Sequence, residues 1–129
     1  MRISMIILVL LFFSCSDKDV SPTYTSIEGS WEFFSASTSG DFVIKKDNSD
    51  FIVISGAFTM SNNSYTINTT TKVTTGYISL MGTDKSQLTL IKPVINSDYT
   101  EINCFGIEYG SNTIPTAYKN ENVLIRRKL

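Results

Sequence analysis

Few residues of this chain are of the types that do chemistry. Histidine is absent, which removes imidazole as general base, as metal ligand and as a switch near neutral pH. The cysteines are Cys15 and Cys104. A thiolate nucleophile needs a neighbouring base or cation. Cys104 stands between Asn103 and Phe105, so it reads as a small hydrophobe for a core. Glu101 and Glu108 fall in one β-rich stretch but differ in parity. In an unbroken strand they face opposite ways and form no carboxylate pair. Asp41, Asp47, Asp50, Asp84 and Asp98 sit among turn residues, where carboxylates cap local backbone. None has the spacing of a calcium-binding loop. No catalytic residue, metal site or cofactor is expected.

The aromatic residues offer more surface than chemistry. Tyr99, Tyr109 and Tyr118, with Trp31, would make a sugar- or protein-binding surface, or else cover the open end of a small β domain. Net charge over the 129 residues is −1, with both signs spread along the chain. That excludes the basic footprint of a nucleic-acid binder. Hydrophobic residues at 42% and aromatics at 12% support one packed domain rather than a disordered chain.

The N-terminus reads MRISMIILVLLFFSC. Arg2 precedes an apolar run over residues 6–13, which is shorter than the ~20 residues that span a bilayer. It has the form of a secretory signal. Small Ser14 directly precedes Cys15, and this ending resembles the lipobox of bacterial lipoproteins. Phe12 stands where that family usually has Leu. The resemblance implies a signal peptide over 1–14, cleaved so that a lipid-bearing Cys15 becomes the first residue and anchors the chain to a membrane. Residues 15–26 are charged and polar without apolar periodicity, as in a flexible tether. Asp17, Lys18 and Asp19 also resemble the short acidic export signals of Bacteroidota lipoproteins. The implied address is the cell envelope, at the outer membrane and facing either the periplasm or the cell surface. With Cys15 lipidated, Cys104 has no partner for a disulfide within the chain.

From residue 27 to 129 the pattern is of short segments rich in Val, Ile, Thr, Tyr and Phe, with no sustained helical period. Eight strands are expected over 30–37, 41–46, 51–60, 64–71, 74–81, 87–92, 99–109 and 122–128. Turn chemistry falls between them at Ser39-Gly40, Asp47-Asn48-Ser49, Ser61-Asn62-Asn63, Gly82-Thr83-Asp84 and Asn96-Ser97-Asp98. Short connections favour an all-β antiparallel meander, closed into a small barrel to remove its edges. A two-sheet sandwich is the alternative. Within the third strand, Ile52, Ile54, Phe58 and Met60 are expected on one face, and Phe51, Val53 and Ala57 on the other. The connection over 110–121 reads as a loop with room for a short helical turn.

Gly29-Ser30-Trp31 opens the first strand and Arg126-Arg127 lies in the last. This Gly-x-Trp with a late Arg resembles the lipocalin and calycin pattern. There the Trp plugs one barrel end and an Arg packs over it, a cation–π contact. The resemblance implies structural roles for Gly29, Trp31 and either Arg126 or Arg127. It also implies a non-enzymatic binding module for a small apolar ligand. The alternative from a different class is an accessory, structural or inhibitor lipoprotein that works through a protein partner.

Overall fold

The computed structural model describes residues 22–113 and 115–129. The expected signal peptide, residues 1–14, and the expected lipidation site, Cys15, lie outside them. The rest of the chain forms twelve short strands and no α-helix among the described residues. They are β1 (Gly29–Phe34), β2 (Ser39–Asp47), β3 (Asp50–Met60), β4 (Asn63–Thr69), β5 (Thr71–Lys72), β6 (Tyr77–Gly82), β7 (Gln87–Ile91), β8 (Val94–Ile95), β9 (Glu101–Cys104), β10 (Gly106–Gly110), β11 (Ala117–Lys119) and β12 (Val123–Arg127). A single 3₁₀ turn, Thr83–Lys85, joins β6 to β7.

Every ladder is antiparallel, and pieces adjacent in sequence merge into longer strands. β7 pairs with β10 and β8 pairs with β9 in one continuous register, so residues 87–95 and 101–110 form a single hairpin. Pro93 interrupts its first arm, because proline brings no N–H to a ladder. The second arm bends at Phe105, whose N–H still donates to the Ile91 carbonyl at 2.9 Å. On the other side of that arm, β10 pairs with β11 and β9 with β12. The twelve pieces are therefore eight strands in meander order: β1, β2, β3, β4–β5, β6, β7–β8, β9–β10 and β11–β12. β12 returns to pair with β1. The fold is an all-β antiparallel barrel in which two curled sheets share corner strands, at β4 and at the Phe105 bend. Its thinnest seam is between β4 and β6, held by the pairs Ile67↔Gly82 and Thr69↔Met81 with a slip between them.

The turns follow from residue type. Ser61 and Asn62 both take positive φ, 53° and 65°, as a two-residue type I′ hairpin requires. Asn48 does the same between β2 and β3, at 57°. The first hairpin turns earlier than the expected Ser39-Gly40. The Ser35 N–H donates to the Thr38 carbonyl at 2.8 Å, and Ser39 and Gly40 are already in β2. The expected loop over 110–121 contains β11 and no helical turn among its described residues.

Strand β3 departs most from simple alternation. Its register with β2 slips between Val43 and Ile44, so that Val43 faces Ser55 while Ile44 faces Val53. Ile54 is the extra residue of this bulge, and Gly56 beside it adopts φ of 133°. A Cβ on Gly56 would stand 2.1 Å from the Asp41 carbonyl oxygen, so only glycine fits. One added residue flips every later side chain to the other face. Val53 therefore joins Phe58 and Met60 in the core, while Ile54 is 40% exposed. The expected grouping of Ile52 and Ile54 with Phe58 and Met60 is corrected accordingly.

Inward-facing side chains from the whole ring meet in one cluster that includes Trp31, Phe33, Phe42, Phe58, Leu80 and Leu90. The bulge makes a direct prediction. Val53→Ala should lower unfolding free energy by about 2–3 kcal/mol and Ile54→Ala by less than about 1 kcal/mol. Urea denaturation of the two variants compares them. The reverse order would mean that β3 keeps simple alternation.

Candidate functional site

One end of the barrel is built around Arg127. Its guanidinium carbon lies 4.4 Å from the centre of the Trp31 ring and 4.1 Å from that of Tyr24. The cation is thus held between two aromatic faces. Three of its five N–H groups also find backbone acceptors. Nε donates to the Tyr99 carbonyl at 2.8 Å, one terminal nitrogen to that of Glu28 at 2.5 Å, and the other to that of Ser26 at 2.6 Å. Trp31 is fully buried and donates its indole N–H to the Ile27 carbonyl at 2.9 Å. In the sheet, Trp31 lies directly between Phe42 of β2 and Arg127 of β12. Burial lowers the pKa of Arg127, and Tyr24 beside it works in the opposite direction.

Gly29 explains the glycine of the opening motif. Its φ is +135°, and a Cβ there would sit 2.2 Å from an Arg127 terminal nitrogen. Arg126, the other arginine considered, points outward. It is 69% exposed at the side chain and meets Glu101 only at 3.9 Å. Among the described residues, contacts with the barrel reach back to Tyr24, inside the stretch read as tether. An aromatic residue just ahead of the first strand was the signal available for it.

The remaining candidates separate. Cys104 is free and fully buried, and burial pushes its pKa from 9.0 up to about 12. Ile102 and Cys104 face inward, but so does Ile107, so parity changes at the Phe105 bend. Glu101 and Glu108 consequently both face outward, against the expectation for an unbroken strand. They belong to different sheets, and Glu101 answers Arg126. Among the described residues, no group of three or more His, Cys, Asp or Glu side chains has metal-site geometry. The expected grouping of tyrosines with Trp31 dissolves: Trp31 and Tyr99 belong to the plugged end, Tyr109 packs on the core, and Tyr118 is exposed.

Clefts lie on the outside of the barrel. Beside β1 and β12, a cleft of about 320 Å³ is lined by Glu32, Phe33, Phe34, Leu124 and Arg126. Phe34 is 76% exposed. Pairing of Phe33 with Ile125 sets Phe34 beside Leu124, and Asn103 connects Leu124 to Val94 across β9. Exposed Phe34 and Leu124 are therefore neighbours on this sheet, with the polar Asn103 between Leu124 and Val94. On the other sheet a trough of about 550 Å³ runs over β6, β7 and β10. It continues into a smaller one of about 210 Å³ near Lys85, Ser111 and Thr116.

Fold and site together define a small antiparallel β barrel with a Trp–Arg plug and clefts on its outer faces. Comparison with known proteins gives no match: no family model, no curated protein and no solved structure is similar to this chain.

Two predictions follow from the plug and the core. Arg127→Met leaves three carbonyls at the plug without donors and should cost about 3 kcal/mol or more, whereas Arg126→Met should stay within about 0.5 kcal/mol. Thermal melts of both variants compare them, and equal losses would place the supporting arginine wrongly. The thiol of Cys104 is kept neutral by the fold, while an unfolded thiol ionises near 9. Stability is therefore complete below that pH and should fall by about 1.4 kcal/mol per pH unit as pH rises from 9 towards 12. Comparing wild type with Cys104→Ala over that range isolates this contribution; identical slopes would show the thiol to be accessible to solvent.

Proposed function

We propose that the protein is a lipid-anchored, non-enzymatic envelope protein that works through the outside of its barrel, docking a protein partner on the β1–β12–β9–β8 face. The observation that carries this reading is the exposed pair of Phe34 and Leu124, with Val94 beyond Asn103, rimmed by Glu32, Arg126 and Glu101. An apolar centre within a charged rim is the usual anatomy of a protein–protein contact surface. The interior favours the same conclusion. Trp31, Val53, Ile78, Leu88, Ile102 and Ile125 come from six different strands and each has 0% exposure. Their volume takes the place that an enclosed apolar ligand would need in an eight-stranded barrel.

The anchor rests on the sequence resemblance at Cys15, and the cell envelope, at the outer membrane, is the corresponding location. Absence of histidine and the buried, neutral state of Cys104 support a role without catalysis.

The test uses the full chain in its own host. Gently solubilised membranes should contain wild-type protein in a complex larger than a single barrel. A Phe34→Asp, Leu124→Asp double variant should run as the lone barrel at unchanged melting temperature. Cys15→Ala should move the protein from the membrane to the soluble fraction and abolish fatty-acid labelling. Wild type that already runs alone and carries a small molecule by native mass spectrometry would return the reading to a lipocalin-like carrier. Persistent labelling of Cys15→Ala would remove the anchor.

A further inference from the structure

The second outer face differs in chemistry from the first. Cross-strand register places three rows side by side on β6, β7, β10 and β11. The central row runs Ser79, Thr89, Glu108 and Tyr118, each directly opposite the next. A second row is Tyr77, Ile91 and Gly106, and a third is Met81, Gln87 and Gly110. Tyr118 leans over Gly106: a Cβ there would stand 2.6 Å from the Tyr118 hydroxyl. Two half-exposed aromatic rings, Tyr77 and Tyr118, thus flank Ile91. Their strands are three ladder spacings apart, roughly 14 Å, and Tyr118 leans back across β10 towards Tyr77.

Beside Ile91, along the central and third rows, the floor is polar. The Ser79 and Thr89 hydroxyls lie 3.3 Å apart, and the Gln87 amide donates to the Thr89 hydroxyl at 3.3 Å. The Thr71 hydroxyl donates to the Ser79 carbonyl at 2.5 Å and closes one side. Glu108 offers a carboxylate that makes no hydrogen bond or ion pair among the described residues, and it lines both parts of the trough. Lys72 on the rim is matched by Asp50 at 3.3 Å. The site therefore has little net charge, a row of oriented hydroxyl and amide groups, one free strong acceptor and an aromatic edge.

We infer that this trough binds a short, uncharged oligosaccharide, stacked on Tyr77, bounded at its edge by Tyr118 over Gly106, and donating hydroxyl protons to Glu108. An anionic ligand would meet Glu108 along the floor, with Lys85 only in the smaller part. A cationic one finds a single carboxylate where desolvated ammonium groups need several acceptors. An apolar ligand would strand the polar floor. A polyol matches all three rows, because its hydroxyls donate to Glu108 and exchange hydrogen bonds with Ser79, Thr89 and Gln87. The trough volume of about 550 Å³ lies within the range of small-molecule sites, about 300–1,000 Å³. Glu108 is the only carboxylate among the described residues lining either part. Glycoside hydrolysis uses two carboxyl groups, so the site binds without cleaving.

The experiment is a titration of the full chain in detergent with neutral hexasaccharides of glucose, xylose, mannose and N-acetylglucosamine. An oligogalacturonate serves as the acidic counterpart. At least one neutral series should bind, and its affinity should fall about tenfold or more in Tyr77→Ala and in Glu108→Ala. The Phe34→Asp, Leu124→Asp variant should bind as wild type, which separates this site from the docking face. Tyr77→Phe, which keeps the ring, should retain most of the affinity. Absence of binding across the neutral series, preference for the acidic sugar, or affinity unchanged by both alanine variants would each overturn the assignment.

Discussion

A guanidinium has five N–H donors fixed in one plane, and burying it is tolerable only where most of them find acceptors and its faces find polarisable partners. Arg127 meets that demand with backbone carbonyls of Ser26, Glu28 and Tyr99 and with the rings of Trp31 and Tyr24. These groups come from the approach to β1 and from the tip of the β8–β9 connection. Segments at opposite ends of the sequence are thereby tied to one point. Gly29 has no Cβ because that cation occupies the space. The register of β1 against β2 and β12 puts Trp31 beneath it. Loss of any partner would leave a charge in a poorly solvated place, so the end of the barrel forms as a unit or not at all.

Much of this was legible in the sequence. Eight strands, their meander order and most of the turns follow from alternation and turn chemistry, and residues 29, 31 and 126–127 mark the plug. What stayed hidden depends on single residues that break a period. Ile54 is an inserted residue in β3, and nothing in FIVISGAF says which of its members bulges; Gly56 hints at the place but not at the direction of the flip. At Phe105 the strand bends and parity changes again, which puts Glu101 and Glu108 on the same side of the barrel wall. Tyr24 was hidden for another reason. Its role depends on a contact with a residue about a hundred positions away, and local composition around it reads as solvated chain.

The outer clefts were illegible for the same physical cause. They are made by register, not by motif: Tyr77, Ile91 and Gly106 belong to three strands, and only the ladder puts them in one row. The sequence suggested a different aromatic group, Tyr99, Tyr109 and Tyr118 with Trp31, of which the fold spends Trp31, Tyr99 and Tyr109 on its own stability and leaves Tyr118 exposed. In a barrel this small the aromatic side chains that read most like ligand contacts are the ones the core needs. Residues left for recognition are the less conspicuous ones outside: Ser79, Thr89, Gln87 and Glu108 on one sheet, Phe34 and Leu124 on the other.

Strict up-and-down order also orients these surfaces. Alternate connections lie at opposite ends, so Tyr24, Arg127 and the 96–100 turn share one end with the N-terminal approach. Turns 35–38 and 83–86 and the 111–116 connection lie at the other. Lys85, Ser111 and Thr116, which close the smaller part of the trough, therefore belong to the end away from Tyr24. A lipid on Cys15 would hold the plugged end towards the membrane and leave that end of the trough facing outward. The Arg127 plug then does two things at once. It completes the core, and it fixes Tyr24 and the approach to β1 at the end of the barrel opposite Lys85, Ser111 and Thr116.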